Sequence, residues 1–441
     1  MIGSLESSRA DCFAFSFRIM PLPSFPLPDL PIAECLPRLV AALGGRPNAV
    51  LVAPPGAGKT TTVPLALLNA APTGRGRIVM LEPRRLAARA AAGRMAALIG
   101  EKAGRTVGFR TRHERAVSAA TRIEVVTTGL FLRRLIGDPG LEGVFAVILD
   151  EIHERSLEAD LALAFLLDAQ AMLRPDVRLI AMSATLDGAR LAAVMDASVV
   201  ESAGRMHPVE VRHAARDLMD PRDLPQAMAR AIRAGLAEAP GDILAFLPGM
   251  AEIRRTEAAL DGIAATVLPL HGDLPPAVQD LALRPAAGRR VVLATAIAET
   301  SLTVPGVRIV VDGGFRRAPR YDPASGLTLL TTERVSRAVA EQRSGRAGRE
   351  APGIAVRLWT KAAERGFRPF DRPEILDAEL SSLVLDCAAW GTPPDKLAFL
   401  DAPPEGALAT ARALLVELGA MDENGITPLG ARMNQIGRAH V

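Results

Sequence analysis

From residue 33 onward, apolar positions occur in short runs rich in β-branched residues, separated by alanine- and leucine-rich stretches. Runs of this length between helix-like segments are typical of strand–helix–strand units, whose strands lie parallel in one sheet. The runs form two series divided near residue 205, so the pattern predicts two similar α/β domains. The predicted strands are residues 48–53, 77–82, 122–128, 144–150 and 177–183 in the first series, and 241–248, 265–270, 289–295, 307–313 and 353–359 in the second.

The two ends of the chain depart from this pattern. Residues 21–31, PLPSFPLPDLP, are too rich in proline for a helix or a central strand and predict an extended leader. The strand pattern stops near residue 370, where two helix-like stretches and the turn sequence Asn424-Gly425 indicate a small helical or winged-helix domain. The predicted divisions are therefore 1–32 for the leader, 33–205 and 206–370 for the α/β domains, and 371–441 for a partial third domain.

Composition narrows the class of protein. Hydrophobic residues make up 49% and charged residues 23% of the 441 residues, the balance of a folded globular protein with more than one domain. The three cysteines are far apart, which argues against a disulfide framework or a zinc ribbon and favours the reducing cytoplasm. No apolar run reaches the roughly 18 residues that a membrane span needs, so no membrane partner is expected. Doubled arginines, such as Arg84-Arg85 and Arg316-Arg317, fit phosphate contacts, and they fit an arginine-rich surface without a partner equally well.

The sequence APPGAGKT, residues 53–60, lies between a predicted strand and a predicted helix and is a candidate phosphate loop. Gly56 and Gly58 let backbone N–H groups converge on phosphate oxygens, and the helix N-terminus adds a favourable dipole. Lys59 is expected to reach the β and γ phosphates of ATP, and Thr60 to ligate Mg²⁺. The predicted cofactor-binding residues of the loop are Pro55, Gly56, Ala57, Gly58, Lys59, Thr60 and Thr61.

The sequence LDEIHERS, residues 149–156, places several charges directly after an apolar strand. In nucleotide hydrolases with a phosphate loop, an acid at the end of a neighbouring strand completes the Mg²⁺ shell, so Asp150 is expected to bind the metal together with Thr60. Glu151 can orient the attacking water or accept its proton. A zinc protease is excluded because no HExxH spacing arises. His153 fits either this site or a solvated turn.

The box Asp150–His153 after a phosphate loop resembles that of DEAH-box helicases of superfamily 2, with isoleucine in the third position. Further segments resemble motifs of that family in the same order: PRRLAAR (83–89), TTG (127–129), SAT (183–185), FLPG (246–249), TAIAETSLT (295–303) and QRSGRAGR (342–349). The resemblance implies two tandem RecA-like domains that close on ATP and Mg²⁺, with RNA across both and 3′ to 5′ movement. The residues that it implies for RNA binding are Arg84, Arg85, Thr127, Thr128, Gly129, Gly249, Thr295, Ser301 and Thr303.

Several arginines have roles that only the resemblance implies. Arg346 and Arg349 would reach in from the second domain and stabilise the charge on the γ-phosphate, while Gln342 would touch that phosphate or the water. Arg343 fits a structural ion pair as well as a ligand contact. Arg94 matches a position that stacks on adenine. The alternative for the segment around these last-motif arginines is a basic RNA-binding turn without a catalytic role.

Some positions depart from the expected patterns. Ala53 stands where the strict phosphate loop has glycine, and Ala296 and Pro305 stand where the family has asparagine and an acid. Coupling between ATP and RNA is expected to suffer at those last two positions. Pro64 is tolerable if it lies in the first turn of a helix that begins near Thr61.

Together these features predict an ATP-dependent RNA helicase that is a cytoplasmic monomer, with DNA as an alternative substrate. A P-loop ATPase acting on a protein or a small molecule is one rival, and an RNA-binding scaffold without unwinding activity is another. In helicases of this kind the chain continues past residue 441, so we expect a fragment; Met20 is a candidate natural start.

Overall fold

The computed structural model describes residues 25, 27–71, 76–184, 188–204, 207–218, 220–299, 302–322 and 325–437. The α-helices are α1 (Leu36–Gly45), α2 (Lys59–Ala70), α3 (Arg85–Leu98), α4 (Thr128–Gly137), α5 (Leu157–Met172), α6 (Gly188–Met195), α7 (Leu224–Glu238), α8 (Met250–Ala259), α9 (Pro276–Leu283), α10 (Arg337–Gly345), α11 (Lys361–Glu364), α12 (Ser381–Trp390), α13 (Glu405–Glu417) and α14 (Pro428–Gly437). The strands are β1 (Asn48–Val52), β2 (Arg77–Glu82), β3 (Val107–Arg110), β4 (Arg115–Ala116), β5 (Ile123–Thr127), β6 (Val144–Leu149), β7 (Arg178–Ser183), β8 (Ser198–Glu201), β9 (Val209–His213), β10 (Asp242–Phe246), β11 (Thr266–Leu270), β12 (Arg290–Ala294), β13 (Val307–Asp312), β14 (Phe315–Asp322), β15 (Leu327–Arg334), β16 (Gly353–Arg357), β17 (Met421–Asp422) and β18 (Gly425–Ile426).

The first domain is built on an eight-stranded sheet in the order β4-β3-β5-β2-β6-β7-β1-β8. Every neighbouring pair is parallel except β3 with β4. Helices α1, α2 and α3 pack on one face and α4, α5 and α6 on the other, which buries the central strands completely. Because parallel strands point the same way, the ends of β1 and β6 open at one edge of the sheet. Ligands bind at this edge in open α/β sheets.

The second domain has a six-stranded parallel sheet in the order β11-β12-β10-β13-β16-β9. All ten strands predicted from the apolar runs are present, with their ends shifted by at most two residues. The prediction of two RecA-like parallel-sheet domains is confirmed. Strand β8 belongs to the first sheet and β9 to the second, on either side of the predicted division at residue 205.

Most of the strands that the apolar pattern missed lie at sheet edges or on the surface; the short strand β3, which is buried between β4 and β5, is an exception. Strand β9 reads VEVRH and is partly exposed, and β15 is exposed along almost its whole length. Strand β15 pairs with β14 in a separate antiparallel hairpin, the β14–β15 hairpin, which follows the second sheet's β13. A half-solvated strand carries polar and charged side chains, so it lacks the continuous apolar run of a central strand.

The C-terminal segment contains the two predicted helices as α12 and α13, and the predicted turn at Asn424-Gly425 joins the short strands β17 and β18. It packs on the first domain and shares a hydrophobic core with it. Trp390 stacks on Phe165 with ring centroids 4.5 Å apart, and its Nε1 donates to Asp168 at 2.7 Å. The segment is therefore continuous with the first domain in packing, although it follows the second in sequence.

Two details of the sequence interpretation were wrong. Residues 27–32 do not form a separate leader, because Ile32 is fully buried and its N–H donates to the Ala57 carbonyl of the phosphate loop at 3.1 Å. Residues 1–24 and residue 26 of the predicted leader lie outside the described residues. Helix α2 begins at Lys59, so Pro64 lies inside its second turn and not in the first. The helix therefore lacks one N–H there.

Candidate functional site

The phosphate loop connects β1 to α2 and wraps around the N-terminus of that helix. Gly56 and Gly58 have φ of 86° and 93°, a left-handed conformation that a side chain would strain. A Cβ on Gly58 would also lie 2.5 Å from the Leu30 side chain, so Leu30 packs directly against the loop at this glycine. The first N–H groups of α2, from Lys59 to Thr61, have no acceptor within the helix and are free for an anion. The predicted phosphate contact of Ala57 is the exception, because its N–H donates to the Pro54 carbonyl at 3.2 Å.

The two acids predicted after β6 lie against this loop. The Lys59 ammonium is 3.2 Å from Oε2 of Glu151, and both side chains are buried. The Thr60 hydroxyl donates to Oδ2 of Asp150 at 2.5 Å. Glu151 itself has a left-handed backbone, φ 51°, which turns its side chain back toward the loop. The structure thus brings together the lysine, the hydroxyl and both carboxylates that the sequence placed 90 residues apart.

The two carboxylates differ in acidity. Burial and the neighbouring Glu151 raise the pKa of Asp150 to about 6. Burial also acts to raise the pKa of Glu151, but Lys59, His153 and Arg346 overcome this effect and lower it to about 2. Glu151 is therefore the ionised partner of Lys59, while Asp150 lacks a full positive partner. The Asp150 carboxylate and the Thr60 hydroxyl are hard oxygen ligands side by side, which fits Mg²⁺.

His153 connects three parts of the site. The Ala184 N–H lies 3.2 Å from its Nδ1, and the Gln342 side-chain amide of the second domain lies 2.8 Å from its Nε2. Burial lowers the pKa of His153 to about 4, so the ring is neutral at pH 7. Its two contacts link the acidic box to the end of β7 and to α10. The solvated-turn interpretation of His153 was therefore wrong. Thr185, the third residue of the predicted SAT motif, lies outside the described residues.

The arginines of the last motif reach this crevice from the second domain. A Cβ on Gly56 would lie 3.4 Å from Cγ and Nε of Arg349, so Arg349 lies over the phosphate loop. Arg346 donates to the carbonyls of Leu302, at 2.6 Å, and of Glu299. Burial lowers the pKa of Arg346 well below its ordinary value and that of Arg349 to about 10. Two cations at one crevice, Arg346 buried and Arg349 partly buried, favour an anionic ligand.

Arg343 has the structural role that the sequence left open. Its guanidinium is fully buried and donates to Asp312 at 2.6 Å and to Glu299. It also lies 4.8 Å from the centre of the Phe246 ring. These contacts tie α10 to the ends of β13 and β10, so Arg343 holds in place the helix whose C-terminal end carries Arg346 and Arg349.

A cavity of about 850 Å³ lies between the domains, beside the nucleotide crevice. Among the residues predicted for RNA binding, Arg84, Arg85 and Thr295 line it. Arg84 also lines a second cavity of about 550 Å³, where it pairs with Glu154 at 3.0 Å. The two cavities therefore adjoin, and together they follow the boundary between the domains.

The other predicted residues lie in different surroundings. Thr127, Thr128 and Gly129 form the junction of β5 and α4, where the Thr128 hydroxyl is buried and donates to the Glu82 carbonyl at 3.4 Å. Gly249 is buried beside Arg317. The Thr303 hydroxyl accepts from Arg349 at 2.6 Å, which places it on the nucleotide side. Arg94 is exposed on α3, and Ser301 lies outside the described residues.

The sequence interpretation missed the acid and arginine network of the β14–β15 hairpin. Arg316 and Arg320 line the second cavity, and both pair with Glu333 on the opposite strand, at 2.8 and 2.5 Å. The doubled arginine Arg316-Arg317 was the only signal for it. The pairing partners could not be found from spacing, because Glu333 depends on the register of the hairpin, and Asp371 and Asp377 come from a later segment of the chain.

Comparison with known proteins supports the same family. The profile of the DEAD/DEAH box helicase family matches residues 33–194, and that of the helicase conserved C-terminal domain matches residues 226–351. The ATP-dependent RNA helicase HrpB of Escherichia coli K12 is 47% identical over 416 residues, which are 93% of this chain and 51% of that protein. The ATP-dependent RNA helicase HrpA of the same organism is 35% identical over 94% of this chain and 33% of its own length.

A crystal structure of the E. coli DEAH/RHA helicase HrpB superimposes with a TM-score of 0.87 at 46% identity, and covers 92% of this chain and 53% of its own. The chain thus spans about half of HrpB, and a smaller share of HrpA. No helix among the described residues is long and apolar enough to cross a membrane.

Proposed function

Because this chain belongs to the DEAD/DEAH box helicase family, we propose that it is an ATP-dependent RNA helicase, in which ATP hydrolysis drives movement along RNA and separation of RNA duplexes. One observation carries the proposal. Lys59, Glu151 and Asp150 of the first domain lie in one crevice with Arg346 and Arg349 of the second. Such a crevice can stabilise charge on the transferred phosphoryl group only when both domains are in place.

Each residue of the crevice would have a different role in ATP hydrolysis. Lys59 would leave Glu151 and bind the β and γ phosphates, together with the N–H groups at the start of α2. Thr60 and Asp150 would hold Mg²⁺, which when bound neutralises charge on the phosphate oxygens. Loss of the Lys59 contact removes the main cause of the low pKa of Glu151. The Glu151 carboxylate then becomes a better proton acceptor for the attacking water.

The second domain would supply the charge that completes the site. Arg349 already lies against the phosphate loop, and Arg346 lies behind it, held by two backbone carbonyls. Gln342 contacts His153, next to the catalytic Glu151. Opening and closing of the crevice would therefore change the shape of the interdomain cavities. Arg84, Arg85 and Thr295 line the larger cavity and would contact the RNA backbone there. Backbone contacts predict sequence-tolerant, salt-sensitive binding.

An ATPase assay with and without single-stranded RNA tests this function. Wild-type protein should hydrolyse ATP faster with RNA, and Lys59→Ala should abolish turnover in both conditions. Lys102→Ala, on a lysine away from the crevice between α3 and β3, is the matched control. Equal turnover with and without RNA would favour an ATPase with a different partner. RNA binding without any turnover would favour the scaffold.

Strand displacement then defines the substrate. Duplexes with a 3′ or a 5′ single-stranded overhang test the 3′ to 5′ direction, and DNA competitors test selectivity for RNA. We propose a monomer as the active form, and sedimentation during turnover checks that state.

A further inference from the structure

The second interdomain cavity is lined by eight arginines and seven carboxylates, so its charge is almost balanced. A surface built only to hold RNA phosphates would be strongly positive, because phosphate contacts supply most of the affinity. The acids here are specific partners and not scattered charges. Asp371 pairs with Arg316, and Asp377 pairs with Arg320 at 2.7 Å.

These two acids come from the segment that links the second domain to the C-terminal helices. Residues 368 and 369 are hydrogen-bonded to α10 of the second domain. Their carbonyls accept from the backbone N–H groups of Arg337 and Ala338 at 2.9 and 3.1 Å. A few residues later the chain is held by the first domain. The Glu374 carboxylate accepts from the Leu157 N–H at 2.7 Å, and Ile375 is fully buried in the first domain's core.

The arginine partners belong to the β14–β15 hairpin of the second domain. Arg316 and Arg320 lie on the same face of β14 because they are four residues apart. Glu333 contacts both arginines and belongs to the same hairpin, so a movement of one domain relative to the other does not separate these three residues. Asp377 is different, because it follows the stretch fixed to the first domain. Its bond to Arg320 therefore ties the two domains together across the cavity.

We propose that Asp371 and Asp377 occupy Arg316 and Arg320 in the RNA-free protein, and that RNA phosphates replace these carboxylates when RNA enters the cavity. The carboxylate and the phosphodiester offer the same anionic oxygens to a guanidinium, so one can substitute for the other. The exchange has two consequences: RNA affinity is lowered by the internal competitors, and RNA binding releases a tie between the domains. This inference rests on the proposed RNA helicase function.

The experiment compares wild-type protein with the double variant Asp371→Asn, Asp377→Asn. Binding of a fluorescein-labelled oligouridylate is measured by anisotropy between about 50 and 200 mM KCl. The variant Asp395→Asn, Glu405→Gln is the matched control, since it makes the same charge change at two residues of the C-terminal segment that do not line the cavity.

The double variant should bind RNA about tenfold more tightly than the control, because two partly exposed ion pairs no longer have to be broken. The slope of log K against log salt should become steeper by about 1.4, since two arginines would then exchange mobile anions for phosphates. A variant of one arginine, Arg320→Gln, should shift affinity and slope in the opposite direction.

ATP turnover without RNA is a second measurement that depends on the Arg320–Asp377 ion pair between the domains. It should rise in the double variant and stay unchanged in the control. Affinity and slope equal to those of the control would overturn the inference while leaving the helicase function intact. Wild-type protein that bound no RNA would overturn both. If the double variant melted well below wild type, Asp377→Asn alone should still give about half of the slope change.

Discussion

Substitution of Glu151 by glutamine tests the chemistry of the crevice most directly. The change keeps the shape of the side chain but removes the charge that faces Lys59 at 3.2 Å. Two effects follow with opposite consequences for catalysis and binding. The proton acceptor for the attacking water is lost, which typically costs about 10² to 10⁴ in rate. Lys59 also loses its internal partner and becomes free for phosphate.

The binding effect can be bounded from the geometry. At an effective dielectric constant of about 20, unit charges 3.2 Å apart attract by about 5 kcal/mol. ATP must replace this attraction in the wild type and does not have to in the variant. If about a quarter of this attraction, about 1.4 kcal/mol, is added to the free energy of ATP binding in the variant, the variant binds ATP about tenfold more tightly. At saturating nucleotide the same free energy raises the melting temperature by about 2 to 6 °C more than in wild type.

Single-turnover hydrolysis and fluorescent-nucleotide titration measure the two effects separately. The control is Glu142→Gln, the same change at an exposed acid just before β6. We expect slow hydrolysis with tight binding in the Glu151 variant and wild-type values in the control. Turnover within a factor of about ten of wild type, or weaker ATP binding, would refute the assignment of Glu151 as proton acceptor and partner of Lys59.

Three further outcomes are expected. Arg349→Ala should lower kcat by about 10³ to 10⁵, with ATP affinity changed much less, in steady-state assays beside nucleotide titrations. Because the pKa of Asp150 is raised to about 6, its carboxylate is ionised above that pH and becomes protonated as the pH falls through it. Mg²⁺-dependent nucleotide binding should therefore weaken below about pH 6. Calorimetric titration of nucleotide into Asp150→Asn should lack this pH dependence. Trp390→Ala removes the stack on Phe165 and should destabilise the C-terminal segment by about 3 kcal/mol, seen in urea unfolding and faster proteolysis of α12 and α13.

The amino-acid sequence by itself determined the central strands, the phosphate loop and the acidic box. These features are local: a buried parallel strand needs a continuous apolar run, and the loop needs glycines where φ is positive, as at Gly56 and Gly58. A single stretch of chain carries each signal, so no knowledge of distant neighbours is required. The same reasoning failed at β9 and in the β14–β15 hairpin, because exposed strands need only local pairing and tolerate polar side chains.

Tertiary structure alone decided which residues act together. Arg343 and Arg346 lie three positions apart in one motif, yet Arg343 forms ion pairs with Asp312 and Glu299, while Arg346 donates to the backbone carbonyls of Leu302 and Glu299. Spacing cannot separate them, because the difference arises from where α10 packs. The packing of Leu30 on Gly58 and the pairing of Arg320 with Asp377 likewise join parts of the chain that no motif links. The burial that strengthens the contacts of Arg343 is likewise a property of the assembled domains.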